Sequence, residues 1–156
     1  MEIFPLVKVI HILSATLLFG TGLGTAFFMF RSRFAPDLGA KYALARTTVL
    51  ADSVFTAPAA IIQPITGAIM ISMAGHSAFD LWLVVTYGLY ILAGLCWLPV
   101  VWIQIQLRDM LRTAIETGTD LPNRSDRLFR IWFLLGWPAF VGLIVVFYLM
   151  VEKPSW

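Results

Sequence analysis

Residues 6–30 read LVKVIHILSATLLFGTGLGTAFFMF, an apolar run whose only ionisable side chains are Lys8 and His11. A helix needs about 20 mostly apolar residues to cross a hydrocarbon core of about 30 Å, so this run is long enough to span a membrane. Arg31 follows it directly, as basic residues do at the cytoplasmic ends of membrane spans. No small-residue cleavage site follows a short hydrophobic stretch, so we expect the helix to be retained rather than removed as a signal peptide.

The composition leads to the same conclusion for the whole chain. Of its 156 residues, 60% are hydrophobic and 13% are charged, and the mean hydropathy is +0.85. Soluble globular domains are far less apolar. Besides 6–30, three apolar stretches predict spans at residues 50–74, 79–107 and 128–151. The sequence therefore predicts an all-α, polytopic membrane protein, in which residues 1–156 form one domain of four transmembrane helices, packed as an antiparallel bundle in the lipid bilayer.

The basic residues predict the orientation of this bundle. They cluster in the connection after the first span and around the connection before the fourth, whereas the connection after the second span has none. Short cytoplasmic loops carry an excess of Lys and Arg, so we expect both termini to be extracytoplasmic. The basic residues form no continuous stripe, so nucleic-acid binding is not expected. They are Arg31, Arg33, Lys41, Arg46, Arg108, Arg112, Arg124, Arg127 and Arg130.

A glycine repeat lies inside the first span, at Gly20, Gly22 and Gly24. A dinucleotide-binding glycine motif needs a strand before it and a helix after it, so we reject that interpretation. Gly20 and Gly24 instead form the GxxxG pair with which membrane helices approach each other closely. The pair predicts an interface, either within the chain or with a partner helix or a second copy of the chain.

Tryptophan and proline residues refine the prediction. Four tryptophans fall near predicted span ends, where an amphipathic ring favours the membrane interface, and two fall deeper, where we expect them to pack or to line a pocket. Prolines in three spans predict kinks and freed backbone carbonyls near mid-membrane. The first group is Trp82, Trp102, Trp132 and Trp156, the second is Trp97 and Trp137, and the prolines are Pro58, Pro64, Pro99 and Pro138.

Asp52 opens the predicted buried part of the second span. A carboxylate inside a membrane is costly and needs a partner. Several arginines fall near the same predicted depth in the membrane, so we expect Asp52 to form a structural ion pair with one of them. The candidates are Arg31, Arg46, Arg108 and Arg130.

His11 is the main candidate functional residue, because an ionisable side chain inside a span marks a site by default. One interpretation is a neutral histidine that is hydrogen-bonded to Gln63, Thr66 or a tyrosine. The other is a cofactor ligand, with companions on the same helical face or at the same depth. The predicted cofactor-binding residues are His11, Lys8, Met70, Tyr87 and Gln63.

A second set of candidate ligands gathers towards the predicted outer face, because the second span runs opposite to the first. Imidazole nitrogen and thioether sulfur suit either a soft copper site or an axial pair on a haem. The predicted metal ligands are His11, His76, Met70 and Met73. The sequence carries no hydrolase signature and no phosphate-binding loop, so no catalytic residue is assigned.

Several motifs resemble those of a known family. They are KVIHILSA at residues 8–15, FGTGLG at 19–24, QPITG at 63–67 and CWLPVVWIQ at 96–104, together with Ala51-Asp52 and Phe55-Thr56-x-Pro58. This pattern, over nearly the whole chain, resembles the bacterial predicted integral membrane proteins grouped as domain of unknown function 2269. The resemblance implies a multi-pass protein of the bacterial inner (cell) membrane and implies no particular activity.

A more distant likeness bears on the cofactor. The Lys8-x-x-His11 start of the first span is similar to the first helix of the membrane protoporphyrinogen oxidases and of the copper-resistance D membrane proteins. In the oxidases this histidine is thought to serve a b-type haem, which by resemblance falls on His11. The chain departs from the oxidases at residues 25–28, which read TAFF where they carry a Leu-Pro-Arg pattern, so their reaction is not carried over.

We therefore expect a membrane redox protein that binds haem b through His11 as an axial ligand. One alternative is extracytoplasmic copper handling. Another is a non-catalytic membrane subunit that packs a partner helix through Gly20 and Gly24. Whether the protein is an enzyme, such as a membrane oxidoreductase, stays open at this stage.

Overall fold

Each predicted apolar stretch corresponds to one long helix, although the third helix begins two residues later than predicted. The structure is a computed structural model and describes residues 3–154. Its helices are α1 (Ile3–Ser32), α2 (Leu38–Ala74), α3 (Leu81–Thr117) and α4 (Arg124–Glu152), and each is long and apolar enough to cross a membrane. The part of the chain described here contains no strand. The all-helical fold of four membrane-spanning helices is thus confirmed, although α2 begins well before its predicted span and α3 ends well after it.

Local sequence sets where these helices begin and end. The Asp37 side chain accepts the Ala40 N–H at 2.7 Å and so caps the start of α2. This satisfies one of the backbone donors that every helix start leaves unpaired. Gly75 and Gly118 end α2 and α3 with φ of 71° and 65°, a left-handed conformation that glycine adopts without steric cost.

Polar contacts between α1 and α2 fix their relative direction. His11 on α1 lies 2.8 Å from Thr66 on α2, and Thr25, further along α1, bonds to Asp52, which is earlier on α2. From the first contact to the second, the α1 residue moves towards higher numbers and the α2 residue moves by the same number of residues towards lower numbers. The two helices are therefore antiparallel, as predicted, and α2, α3 and α4 follow through short connections.

Two apolar clusters hold the ends of the bundle. One cluster contains residues from all four helices and consists of Met29, Ala45, Ile103, Leu107, Leu111, Leu128 and Trp132. The other joins α3 to α4 near the 75–80 turn and consists of Trp82, Leu83 and Leu149. Between the two clusters, α1 meets α4 mainly through aromatic rings, with the Phe19 ring centroid 5.2 Å from that of Phe140.

The structure corrects part of the tryptophan prediction. Trp102 is 50% exposed, as expected for a ring at the membrane interface. In contrast, Trp82 and Trp132 are only 7% and 5% exposed, because their rings pack inside the two apolar clusters. Trp137, predicted to pack or to line a pocket, is 59% exposed. Trp156 lies outside the described residues.

The glycine pair of α1 makes no close approach to another helix of the chain. A side chain at Gly20 or Gly24 would meet no other described atom within 4 Å. The within-chain form of the predicted interface is therefore wrong, because the backbones of the neighbouring helices do not approach α1 at these two positions.

The antiparallel order places the connections 33–37 and 118–123 at the same end of the bundle, called here the basic end. An ion pair across it, Arg33 to Asp126 at 3.0 Å, links α1 to α4. The 75–80 turn lies at the opposite end, called the turn end. If the basic end faces the cytoplasm, the turn end must face outward.

This orientation is testable with single cysteines. In a Cys96→Ala background, which removes the only native cysteine, a membrane-impermeant maleimide should label Ser77→Cys in intact spheroplasts. It should label Asn123→Cys only after the membrane is permeabilised. The reverse labelling pattern would show that the basic end faces outward.

Candidate functional site

A cavity of about 290 Å³ lies between the four helices. Its walls are mainly aliphatic and aromatic, and they include Phe19 of α1, Trp97 of α3 and Phe140 of α4. Trp97 thus occupies a pocket position, as the sequence indicated. Largely apolar cavities with a few polar groups are the usual form of small-molecule sites in proteins.

Three glycines line this cavity beside open space. Gly22 of α1, Gly94 of α3 and Gly136 of α4 all line it, and a Cβ built on any of them would meet no atom within 4 Å. A helical glycine costs about 1 kcal/mol relative to alanine. Because protein interiors are normally close-packed, glycine at three lining positions points to a space that the fold preserves.

Asp52 forms the polar part of the cavity wall and is only 3% exposed. Its Oδ1 accepts hydrogen bonds from the Thr25 hydroxyl at 3.1 Å and from the Thr56 hydroxyl at 2.8 Å. The Gln104 side chain adjoins the same carboxyl group. Three helices therefore supply the neutral polar groups that surround one acidic side chain.

The predicted ion pair of Asp52 is wrong. No Lys or Arg nitrogen of the described residues lies within 4.0 Å of its carboxylate, and Arg108 pairs instead with its neighbour Asp109 at 2.7 Å. Arg31, Arg46 and Arg130 are exposed at the bundle surface. The carboxylate points into the bundle, whereas long basic side chains keep their charged ends at the surface.

A turn of π-helix explains this inward placement. Residues Asp52–Thr56 form that turn within α2, and the Ala57 N–H bonds to the Asp52 carbonyl. Pro58 follows, and a proline ring clashes with the carbonyl four residues before it, which a wider turn relieves. The turn brings Asp52 and Thr56 together on the cavity side, and π-bulges occur frequently at functional sites.

Two buried polar atoms of the cavity wall lack a partner. Gln104 is 2% exposed and its Oε1 accepts no hydrogen bond, while Trp132 is 5% exposed and its Nε1 donates none to the described residues. Both side chains line the cavity. Leaving a buried polar group unpaired costs about 1–3 kcal/mol, so these two atoms indicate a missing partner at the site.

Tyr90 of α3 also lines the cavity, and its hydroxyl bonds to a backbone carbonyl that a proline leaves without its helical partner. Pro64 lacks the N–H that would bond to the carbonyl of Ala60, and the Tyr90 hydroxyl donates to that carbonyl at 2.7 Å. The freed carbonyl expected from the sequence thus exists and is satisfied by a neighbouring helix, as happens in membrane proteins.

His11 lies between α1 and α2, away from the residues that line the cavity. His11 Nδ1 lies 2.8 Å from the Thr66 hydroxyl, which also lies 2.8 Å from the Ile62 carbonyl; the tautomer of the ring decides whether His11 or Thr66 donates in their contact. The expected bond to Thr66 is confirmed, and Gly67 leaves room beside the ring.

The other predicted ligands are dispersed. Lys8 is exposed and Tyr87 is 39% exposed. His76 lies 3.6 Å from Asp80 and packs against Trp82 at the start of α3. Within residues 3–154, no group of three or more His, Cys, Asp or Glu side chains forms a metal site.

The remaining predicted ligands do not line the cavity either. Gln63 accepts a hydrogen bond from Ser14 at 2.7 Å, and Met73 is 46% exposed. Neither residue, nor Met70, lines the cavity. Cofactor and copper ligation by this set therefore stay predictions.

Residues 5–154 match the family described as "Predicted integral membrane protein (DUF2269)". The chain belongs to the DUF2269 family. This match covers the whole bundle, including every residue of the cavity. The search of curated proteins and the search of solved structures found no match. The family description names a membrane location and no activity, so the function of this DUF2269 protein has to be argued from its site.

Sequence reasoning missed most of the cavity of this DUF2269 protein. Thr25 and Gln104 gave a usable signal, since polar side chains inside apolar runs need partners. Gly94 and Gly136 gave none, because isolated glycines are common in membrane helices. Only the packing of four helices shows that their missing side chains face the same space.

The bond of Tyr90 to the carbonyl freed by Pro64 predicts a non-additive pair of substitutions. Tyr90→Phe should lower the midpoint of thermal unfolding in detergent by about 2–4 °C, as expected for the loss of about 1 kcal/mol. In a Pro64→Ala background the carbonyl regains its helical N–H, so Tyr90→Phe should cost nothing further. Tyr87→Phe, at an exposed tyrosine of the same helix, is the control, and equal losses in both backgrounds would refute the bond.

Proposed function

We propose that this DUF2269 protein binds a lipophilic small molecule in the cavity between its transmembrane helices. One observation carries the proposal. Gly22, Gly94 and Gly136 line a space whose wall also contains a buried carboxyl group and two unpartnered polar atoms. Each of these features alone has a structural cost, and a bound molecule offsets all of them at once.

The surroundings of the cavity select the kind of molecule. Its walls are mainly apolar, and the helices around it are of a kind that crosses lipid. A solute that dissolves in acyl chains is therefore favoured over a water-soluble one. The few polar groups near Asp52 would orient the molecule and give specificity, as sparse polar groups do in other apolar sites.

Photolabelling tests the proposal. A long-chain hydrocarbon that carries a diazirine and a terminal alkyne is added to the protein in lipid nanodiscs, irradiated, and mapped by mass spectrometry. We expect adducts on lining residues such as Trp97 and Phe140, and excess undecane should abolish them. Gly94→Leu should abolish them too, because its side chain fills the cavity.

The matched control is Gly88→Leu, which adds the same side chain to an exposed glycine of the same helix outside the cavity. That variant should keep the adducts on Trp97 and Phe140. Labelling that undecane does not compete, or that Gly94→Leu leaves unchanged, would overturn the proposed binding.

A second candidate function is that of a membrane redox protein with haem b, and the contact of His11 with Thr66 favours it. If Nδ1 donates to the Thr66 hydroxyl, Nε2 is free to bind iron, which is how proteins orient a ligating histidine. His11 would then hold the iron, and Thr66 would orient the ring. When bound, the haem would supply one-electron transfer. Copper handling lacks a comparable observation.

An absorption spectrum tests the haem candidate. Protein purified from haem-replete cells should show a Soret band that His11→Ala abolishes. Thr66→Val should weaken haem retention by 10–100-fold, the usual cost of losing a hydrogen bond that orients a ligand. Ser72→Ala, an exposed hydroxyl on the same helix, should leave the band unchanged. A colourless preparation would rule this candidate out and leave the cavity proposal intact.

Location and assembly complete the proposal. The family resemblance supports the bacterial inner membrane. The α1 face at Gly20 and Gly24 contacts no other described helix closely, so a second copy of the chain or a partner helix has room to pack there.

A further inference from the structure

We infer that the molecule bound in the cavity carries a hydroxyl group at the end of an apolar chain, with Gln104 and Trp132 as its hydrogen-bond partners. The inference rests on the proposed binding function and adds the chemical class of the ligand. It depends on the different hydrogen-bonding requirements of the two unpartnered atoms.

Gln104 Oε1 can only accept a hydrogen bond, and Trp132 Nε1 can only donate one. A ketone, quinone or ether offers acceptors alone and would leave Gln104 unpaired. An ammonium group offers donors alone and would leave Trp132 unpaired. A hydroxyl donates and accepts through a single oxygen, so it satisfies both atoms.

The assignment of the Gln104 amide supports this pairing. Its side chain adjoins the Asp52 carboxyl group, which is an acceptor and therefore favours the NH₂ end of the amide. The amide oxygen is then directed away from Asp52 and needs a donor from elsewhere. None of the described side chains supplies that donor.

Helix geometry makes the two side chains lean towards each other along the bundle axis. A Cβ on Gly142 of α4 would lie 3.7 Å from the Leu89 carbonyl of α3. With the helices antiparallel and rising 1.5 Å per residue, the Cα of Trp132 lies about 7 Å nearer the turn end than that of Gln104. Helical side chains lean towards the N-terminus of their own helix. Gln104 therefore leans towards the turn end and Trp132 towards the basic end, so each leans towards the other.

The position of Asp52 argues against a ligand that carries a carboxylate. Its Oδ1 already receives two threonine hydroxyls, and the residue is almost fully buried. A ligand carboxylate beside it would place two acidic groups together in a medium of low polarity, which is strongly unfavourable. A long-chain alcohol avoids this repulsion, whereas a fatty acid does not.

Competition against the hydrocarbon photolabel tests the inference. Undecanol, undecane, undecylamine and undecanoate are compared for the concentration that halves labelling of Phe140. Two hydrogen bonds should make undecanol about tenfold more potent than undecane or more, since a net hydrogen bond contributes about 0.5–1.5 kcal/mol. Undecanoate should be the weakest of the four.

Two variants test whether Trp132 and Gln104 cause the preference for undecanol over undecane. Trp132→Phe keeps a ring but loses the N–H, and Gln104→Leu keeps the side-chain size but loses the oxygen. Each should reduce the preference for undecanol over undecane by about threefold or more, while labelling of Phe140 by the hydrocarbon shows that the cavity is still formed. Trp102→Phe, at an exposed tryptophan of α3, is the control and should change nothing.

The possible results are distinct. Equal potency of undecane and undecanol, higher potency of undecylamine or undecanoate, or an unchanged preference in both variants would overturn the hydroxyl assignment while leaving the cavity function standing. Absence of any competed labelling in the native protein would overturn the binding function itself.

Discussion

The constraint on which this structure depends is that a buried carboxyl group inside the membrane-spanning bundle has no cationic partner among residues 3–154. In hydrocarbon, polar groups cannot turn to water, so Asp52 must be surrounded by partners from the protein. Thr25 reaches it from α1, and Thr56 reaches it from the same helix. This network ties α1 to α2 at the level of the cavity and places the polar end of the site.

Prolines shape the rest of the cavity by removing backbone hydrogen bonds. Pro58 accompanies the π-turn that turns Asp52 inward, and Pro64 frees the carbonyl that anchors Tyr90. In water such defects would be solvated, whereas in lipid each one requires a specific side chain from a neighbour. The same residues that weaken α2 as an isolated helix therefore define its contacts with the other helices.

The sequence predicted the helices well, because length and hydropathy alone decide whether a segment can cross a bilayer. It also named Thr66, beside Gln63 or a tyrosine, as a hydrogen-bond partner for His11 in one of two interpretations, and the structure shows that contact. It failed for Asp52, whose carboxyl group points into the bundle rather than towards the surface arginines. Linear periodicity does not reveal the π-turn at Asp52–Thr56 that accompanies this direction.

The cavity itself was beyond prediction from the sequence, because Gly94 and Gly136 belong to different helices whose rotation is set by packing. The seam between α1 and α4 has a further consequence. Aromatic rings such as Phe19 and Phe140, rather than tightly apposed backbones, close it. Because side chains rather than backbone close this seam, a lipophilic molecule that entered from the acyl-chain layer would displace aromatic rings and break no backbone hydrogen bond on its way to the cavity.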